Sequence, residues 1–349
     1  MAGAFGKLSN QSGVAVSIKG PGLANMLPGL AACSLDAFPV VSIAEAYLPG
    51  AAPESAHKRI DHDRLMAGIA KTRAYLSDSG PGFEALCRVA ESEVPGVAHL
   101  NIAATAAGGL VEESSVVKPP QSDTGIEQVL TLIRQSNRPV VIAGTLAVRK
   151  NWCDFLNRLA LPVFSTAAAK GVVDENLPHA GGVFTAGGGP LAPETGLLPE
   201  ADLVVSLGLR HNEVLAVKPF HCPTVHIDPL GEENSFGFNF DSTLFGTTSQ
   251  IEALFEALTQ KSWGIDLVDG AVSKLNAKLF GSDFLPARVY DGIARYFNHQ
   301  ARLVLDTGNF CTIGEHAWQV PHPALYLAAG QGRYMGCLLY TSDAADDLA

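Results

Sequence analysis

Charge is scarce in this sequence. Asp, Glu, Lys and Arg make up 17% of its 349 residues, and aromatic residues only 7%. No apolar run is long enough to span a bilayer, and no basic stretch leading into a short apolar run opens the chain. A cytoplasmic protein without a membrane partner is therefore expected. A basic stripe is also missing: the formal net charge is −11, which argues against nucleic acid as the main partner. None of the six cysteines (Cys33, Cys87, Cys153, Cys222, Cys311, Cys337) stands in CxxC spacing. Reduced structural thiols are expected rather than a metal site or a disulfide framework. The turn after the apolar run at 138–144 reads AGTLAV (Ala143 to Val148) and lacks GxGxxG, which disfavours a standard NAD site.

What is present is apolar and punctuated. Hydrophobic residues reach 47%, with 35 glycines and 21 prolines spread along the chain, as many strand–helix junctions require. The most informative stretch is KGPGLANM, Lys19 to Met26, directly after the apolar run Val14 to Ile18. A β-branched run broken by Gly-Pro-Gly predicts a strand that stops abruptly, with a backbone that a ligand or neighbouring subunit can approach. Leu23 to Leu35 predicts a helix whose start offers free N–H groups. A second strand is expected at Phe38 to Ile43, a helix at Phe83 to Ser92 and a strand at Val94 to Ile102. Further on, strands are expected at Arg138–Gly144, Leu161–Ser165, Ala201–Leu207, Thr224–Ile227 and Leu303–Leu305. Helices are expected at Ile126–Ile133, Trp152–Leu161 and Pro286–Phe297. Strands alternating with helices imply parallel sheets with crossovers.

The expected fold class is α/β, with three-layer Rossmann-like domains. Residues 1–104 form the first domain, 105–122 a linker and 123–260 a central domain. A second linker covers 261–283, and 284–337 starts a third domain. From about Leu338 the tail LLYTSDAADDLA changes character, and 338–349 reads as foreign or disordered.

In order and spacing these segments resemble the thiamine-diphosphate enzymes of the acetolactate synthase and 2-keto-acid decarboxylase type. GPGLAN followed by an Ala-rich helix and D-x-x-P-V-V (Asp36 to Val41) resembles their pyrimidine-binding domain. RPVVIAG, LPVFSTAAAKGVVDENLPHAGGVF, EADLVVSLGLR and VHIDP resemble their central domain. Asp306-Thr307-Gly308 and GQGRYMG resemble the start of their diphosphate-binding domain. The resemblance implies thiamine diphosphate and Mg2+ as cofactors, and a 2-keto acid or acyl-CoA substrate handled by a transferase or lyase. A homodimer or homotetramer is implied as well. It places Gly20, Pro21, Gly22 and Asn25 at the cofactor from one side, and Gly308, Asn309, Gly332 and Met335 from the other. Met335 would support the bent form of the cofactor. Arg210 and Asp228, at two strand ends, would face FAD or ADP; many relatives keep this domain without a nucleotide, and none is expected here. Lys58 stands where relatives carry a Gln, and Val94–Ile102 lacks the usual Asp and Pro. Phe310 and Cys311 replace a His and a Gln.

No Glu precedes Val14 and no GDG occurs anywhere in the chain. The resemblance places the activating Glu upstream of Met1 and the GDG metal motif downstream of Gly336. An inactive interior fragment of a longer enzyme is therefore expected, with no catalytic or metal residue of its own. The competing expectation is a non-catalytic nucleotide-binding or scaffold protein that keeps only the Rossmann-like domains. Lys170 and His179 are read as surface or turn residues of structural value.

Overall fold

In the computed structural model, the described residues are 1–47, 58–76, 82–103, 125–210, 213, 215–216, 219–229, 240–244, 248–281, 285–306 and 308–328. The chain divides into two compact units, within 1–117 and 118–330. The tail at 338–349, the linker at 105–122, and both Gly332 and Met335 lie outside the described residues.

The first unit contains α1 (Ala2–Ser9), β1 (Gly13–Ser17), α2 (Pro21–Leu35), β2 (Val40–Ala46), α3 (His62–Met66), β3 (Ala70–Tyr75), α4 (Phe83–Glu91) and β4 (Val97–Ala103). Its strands form one parallel sheet in the order β1-β2-β4-β3. Side chains alternate across a strand, and here both faces are covered. Val40, Ala44 and Val97 pack with Leu23 and Leu30 of α2. Val41, Ala98 and Leu100 pack with Leu86 and Ala90 of α4. That makes three layers. At the edge, β1 leaves Val14 and Val16 exposed, the latter by 71%.

The second unit is built on a six-stranded parallel sheet in the order β10-β9-β8-β5-β6-β7. Its elements are α5 (Ile126–Gln135), β5 (Pro139–Ala143), α6 (Thr145–Arg149), α7 (Cys153–Leu156), β6 (Val163–Ser165), β7 (Ala180–Val183), α8 (Pro193–Leu197), β8 (Leu203–Leu207), β9 (Thr224–Ile227), β10 (Ser242–Leu244), α9 (Thr248–Thr259) and α10 (Ile265–Phe280). Val141, Ala143, Val205 and Leu207 face α5 and α9. Val140, Ile142 and Val204 face α8 and α10. The continuous apolar runs in the sequence thus become strands buried on both faces. α11 (Leu285–Tyr296), β11 (Leu303–Leu305), α12 (Asn309–Ala317) and β12 (Tyr326–Ala328) follow. They enclose a smaller core of Tyr290, Leu305, Cys311, Trp318, Val320 and Tyr326.

Three segments, among others, differ from expectation. The helix expected at Trp152–Leu161 is only the single turn α7. The stretch 261–283, read as a linker, contains the sixteen-residue helix α10. Lys170 and His179 stand in turns, as one of the two expectations had it, but both are buried. Lys170 Nζ donates to both carboxylate oxygens of Glu175 at 2.6 Å and to the Glu315 carbonyl at 2.8 Å. Glu175 in turn accepts from the Val320 N–H at 2.9 Å. This buried pair therefore joins the β6–β7 connection to the segment around α12. His179 Nε2–H donates to the Leu156 carbonyl at 3.0 Å.

Candidate functional site

Gly20 caps α2 with φ 64° and ψ −108°, a backbone conformation that only glycine adopts at little cost. An added Cβ would also overlap the Lys58 carbonyl oxygen. Pro21 then starts the helix with its φ already set and no N–H to satisfy. The chain therefore leaves β1, turns sharply and enters α2 within a few residues. Pro21 and Asn25 are exposed and Gly22 half-buried, so this corner presents backbone and small groups outward.

Beside it, at the carboxyl ends of β1, β2 and β3, lies a cavity of about 310 Å3 lined by Lys19, Tyr47, Lys58, Asp61, His62 and Tyr75, among others. The crevice outside the carboxyl ends of parallel strands is where α/β sheets place ligands. Asp61 fixes one wall by capping α3, accepting from the Arg64 N–H at 3.0 Å. Lys19 pairs with Glu45 and sits over the Tyr47 ring at 5.1 Å; the hydrogen bond to Glu45 raises its pKa. Burial raises the Tyr75 pKa, with Asp63 and Asp61 adding to it. Two polar atoms near this edge have no hydrogen-bond partner among the described residues: the Ser17 hydroxyl and Asn101 Nδ2.

Behind the turn runs a buried polar chain that no local sequence signal announces. Gly20 N–H donates to His62 Nε2 at 2.9 Å. His62 Nδ1 meets Asn101 Oδ1 at 2.8 Å, and Asn101 Oδ1 meets His99 Nε2 at 3.1 Å. Burial lowers the His99 pKa to about 4, against the raising effect of its bond to Asn101. An unfolded histidine titrates near 6.5, so below that pH the unfolded chain takes up a proton that the folded chain refuses. The first unit should therefore lose stability as pH falls from about 6.5 to about 4, by roughly 2–3 kcal/mol. Hydrogen exchange of β4 peptides at pH 7 and pH 4.5 measures this. Unchanged protection, after correction for intrinsic rates, would show that His99 is protonated in the fold.

In the second unit, sheet order reverses between β5 and β8, the position expected for a nucleotide. The chain fills it with its own side chains. Glu213 accepts from Thr145 N–H at 2.7 Å, from the Thr145 hydroxyl at 2.9 Å and from Arg210 N–H at 3.0 Å. Burial raises the Glu213 pKa. Arg210 and Asp228 are fully buried and face each other, with Arg210 Nη1 and Nη2 donating at 2.5 and 3.1 Å. Gly308 caps α12 with φ 102° and with no described residue within 4 Å of where a Cβ would sit, and Asn309 beside it is exposed. Among the described residues, no group of three or more His, Cys, Asp or Glu could hold a metal ion. None of the described helices is long and apolar enough to cross a membrane.

Fold and site together define an α/β protein with a glycine corner at the carboxyl edge of its first parallel sheet and a Rossmann-like sheet after it. Residues 1–61 match the family model of the thiamine pyrophosphate enzyme N-terminal TPP binding domain, and residues 126–251 that of the thiamine pyrophosphate enzyme central domain. The two matches together cover just over half of the chain, and the chain belongs to the thiamine pyrophosphate enzyme family. It is 26% identical over 228 residues to a probable acetolactate synthase large subunit of Methanocaldococcus jannaschii, covering 60% of this chain and 38% of that protein. It is 26% identical over 290 residues to human 2-hydroxyacyl-CoA lyase 1, covering 75% and 48%. It is 25% identical over 223 residues to a probable 2-ketoarginine decarboxylase of Pseudomonas aeruginosa, covering 60% and 39%. The chain thus spans less than half the length of these curated relatives.

Proposed function

We propose that the first unit supplies the pyrimidine-side half of a thiamine diphosphate site in an enzyme that acts on a 2-keto acid or an acyl-CoA. The observation that carries this reading is the Gly20–Pro21–Gly22 corner beside the cavity, both at the carboxyl edge of a parallel sheet. Gly20, Pro21, Gly22 and Asn25 would border the cofactor's aminopyrimidine. When bound, thiamine diphosphate supplies an electron sink for the bond broken next to a carbonyl. This chain's part is to orient the ring and keep it from water. Gly308, Asn309, Gly332 and Met335 are proposed for the diphosphate side, with Mg2+, in a homodimer or homotetramer. A transferase or a lyase is compatible with the relatives' names. Arg210, Asp228 and Glu213 are proposed to serve the fold rather than FAD or ADP, since their charges and hydrogen bonds are already directed at one another and at Thr145.

The test is an NMR titration of the isotope-labelled chain with thiamine and with its 4-amino-2-methylpyrimidine portion. Amide shifts should concentrate at Gly20, Gly22, Asn25 and Lys58–Asp63. In a folded Gly20→Val protein they should vanish, because that corner cannot hold a side chain. A wild-type protein that shows no saturable shifts there overturns the reading.

A further inference from the structure

The glycine corner is held from behind, and the proton positions that hold it follow from a single donor. Gly20 N–H can only donate, so His62 Nε2, 2.9 Å away, must be unprotonated. A neutral imidazole then carries its proton on Nδ1. That proton points at Asn101 across 2.8 Å, so the amide oxygen, not the nitrogen, must face the ring. The same oxygen lies 3.1 Å from His99 Nε2, which must therefore be the protonated nitrogen of that ring. His99 Nδ1 is left to accept from the Ser42 hydroxyl at 3.2 Å. For neutral rings, any other arrangement sets two donors or two acceptors face to face. His62, His99, Asn101 and Ser42 are all buried, where an unmet donor is costly.

The same short segment touches the corner twice. Lys58, itself at φ 62°, sets its carbonyl where a Gly20 side chain would be. His62 takes the Gly20 N–H. Lys58 and His62 also line the cavity. The corner and the cavity wall are thus fastened to one another, and the fastening ends in β4 at the centre of the sheet.

We propose that His62, in its Nδ1–H form, is a positioning residue that locks the Gly20–Pro21–Gly22 corner to the cavity wall. Its consequence for ligand binding rests on the cofactor reading above; the lock itself does not. His62→Leu removes the acceptor for Gly20 N–H and the donor to Asn101. His62→Gln offers an amide oxygen to the first and an amide N–H to the second.

The experiment uses the isotope-labelled full chain near pH 7.5. The His62 ring should carry its proton on Nδ1 only. Gly20 N–H exchange should be slow in the wild type, at least tenfold faster in His62→Leu and largely restored in His62→Gln. Protection at Val41 and Leu100 serves as the folding control. A wild-type His62 protonated on Nε2 overturns the proposal, and this arm needs no variant to fold. Unchanged Gly20 exchange in a folded His62→Leu protein overturns it too. Thiamine titration of the same proteins separates the two readings. Faster Gly20 exchange with weakened thiamine binding supports both. Faster exchange in proteins that never bind thiamine supports the lock and removes the cofactor assignment.

Discussion

Asp228→Asn should destabilise the second unit by about 3–5 kcal/mol, because it takes the negative charge of Asp228 away from the fully buried Arg210 guanidinium. His226 Nε2 lies 3.8 Å from the same carboxylate, and its pKa is lowered by burial. A neutral imidazole does not replace the missing charge. All three tryptophans, Trp152, Trp263 and Trp318, lie in this unit, so urea unfolding followed by tryptophan fluorescence reports on it alone. The double replacement Arg210→Met with Asp228→Leu should recover much of the loss, since removing both charges also removes their desolvation cost. A loss below about 1 kcal/mol for Asp228→Asn would mean that Arg210 finds water or another anion. In that case the pair would again be open to a nucleotide.

The Lys170–Glu175 pair should be nearly as sensitive, and its loss should have a pH signature. Lys170→Met leaves a buried carboxylate whose pKa is already raised by desolvation, with Lys170 as the main opposing influence. The expected cost is about 3–5 kcal/mol at pH 8. It should shrink as pH falls, because the unpaired Glu175 escapes its charge by binding a proton. Glu175 binds the Val320 N–H, and Lys170 the Glu315 carbonyl, so the first part to loosen should be the segment around Trp318. A red shift of its emission in Trp152→Phe/Trp263→Phe background, ahead of global unfolding, measures that release. A pH-independent cost would show that the lost packing of the lysine stem, not the charge, is responsible.

Much of the architecture was legible because it is local. Val14–Ile18, Phe38–Ile43, Arg138–Gly144 and Ala201–Leu207 are apolar runs cut by Gly or Pro, and each holds a parallel strand, buried in the last three and at the exposed sheet edge in the first. The Gly-Pro-Gly stop and the start of α2 follow from backbone chemistry alone: one glycine at positive φ, then a proline at the first helical position. β3 escaped notice because AKTRAY carries Lys71 and Arg73 and lies at the sheet edge, where one side needs no apolar run. α10 escaped because IDLVDGAVSKLNAKLF mixes charges and a glycine into a narrow apolar stripe.

The sequence by itself determined the strand–turn–helix order, the glycine corner and the family, since all three rest on residue types at fixed short spacing. Tertiary structure alone decided what stands behind the corner and what holds the second unit together. His62 reaches Gly20 across 42 positions and Asn101 across 39. Glu175 reaches Val320 across 145, and Arg210 meets Asp228 only because β8 and β9 lie side by side. A histidine, a lysine or an arginine looks the same in a sequence whether water or a partner satisfies it. Burial makes the difference, because removing a polar group from water is tolerable only where the fold delivers its partner.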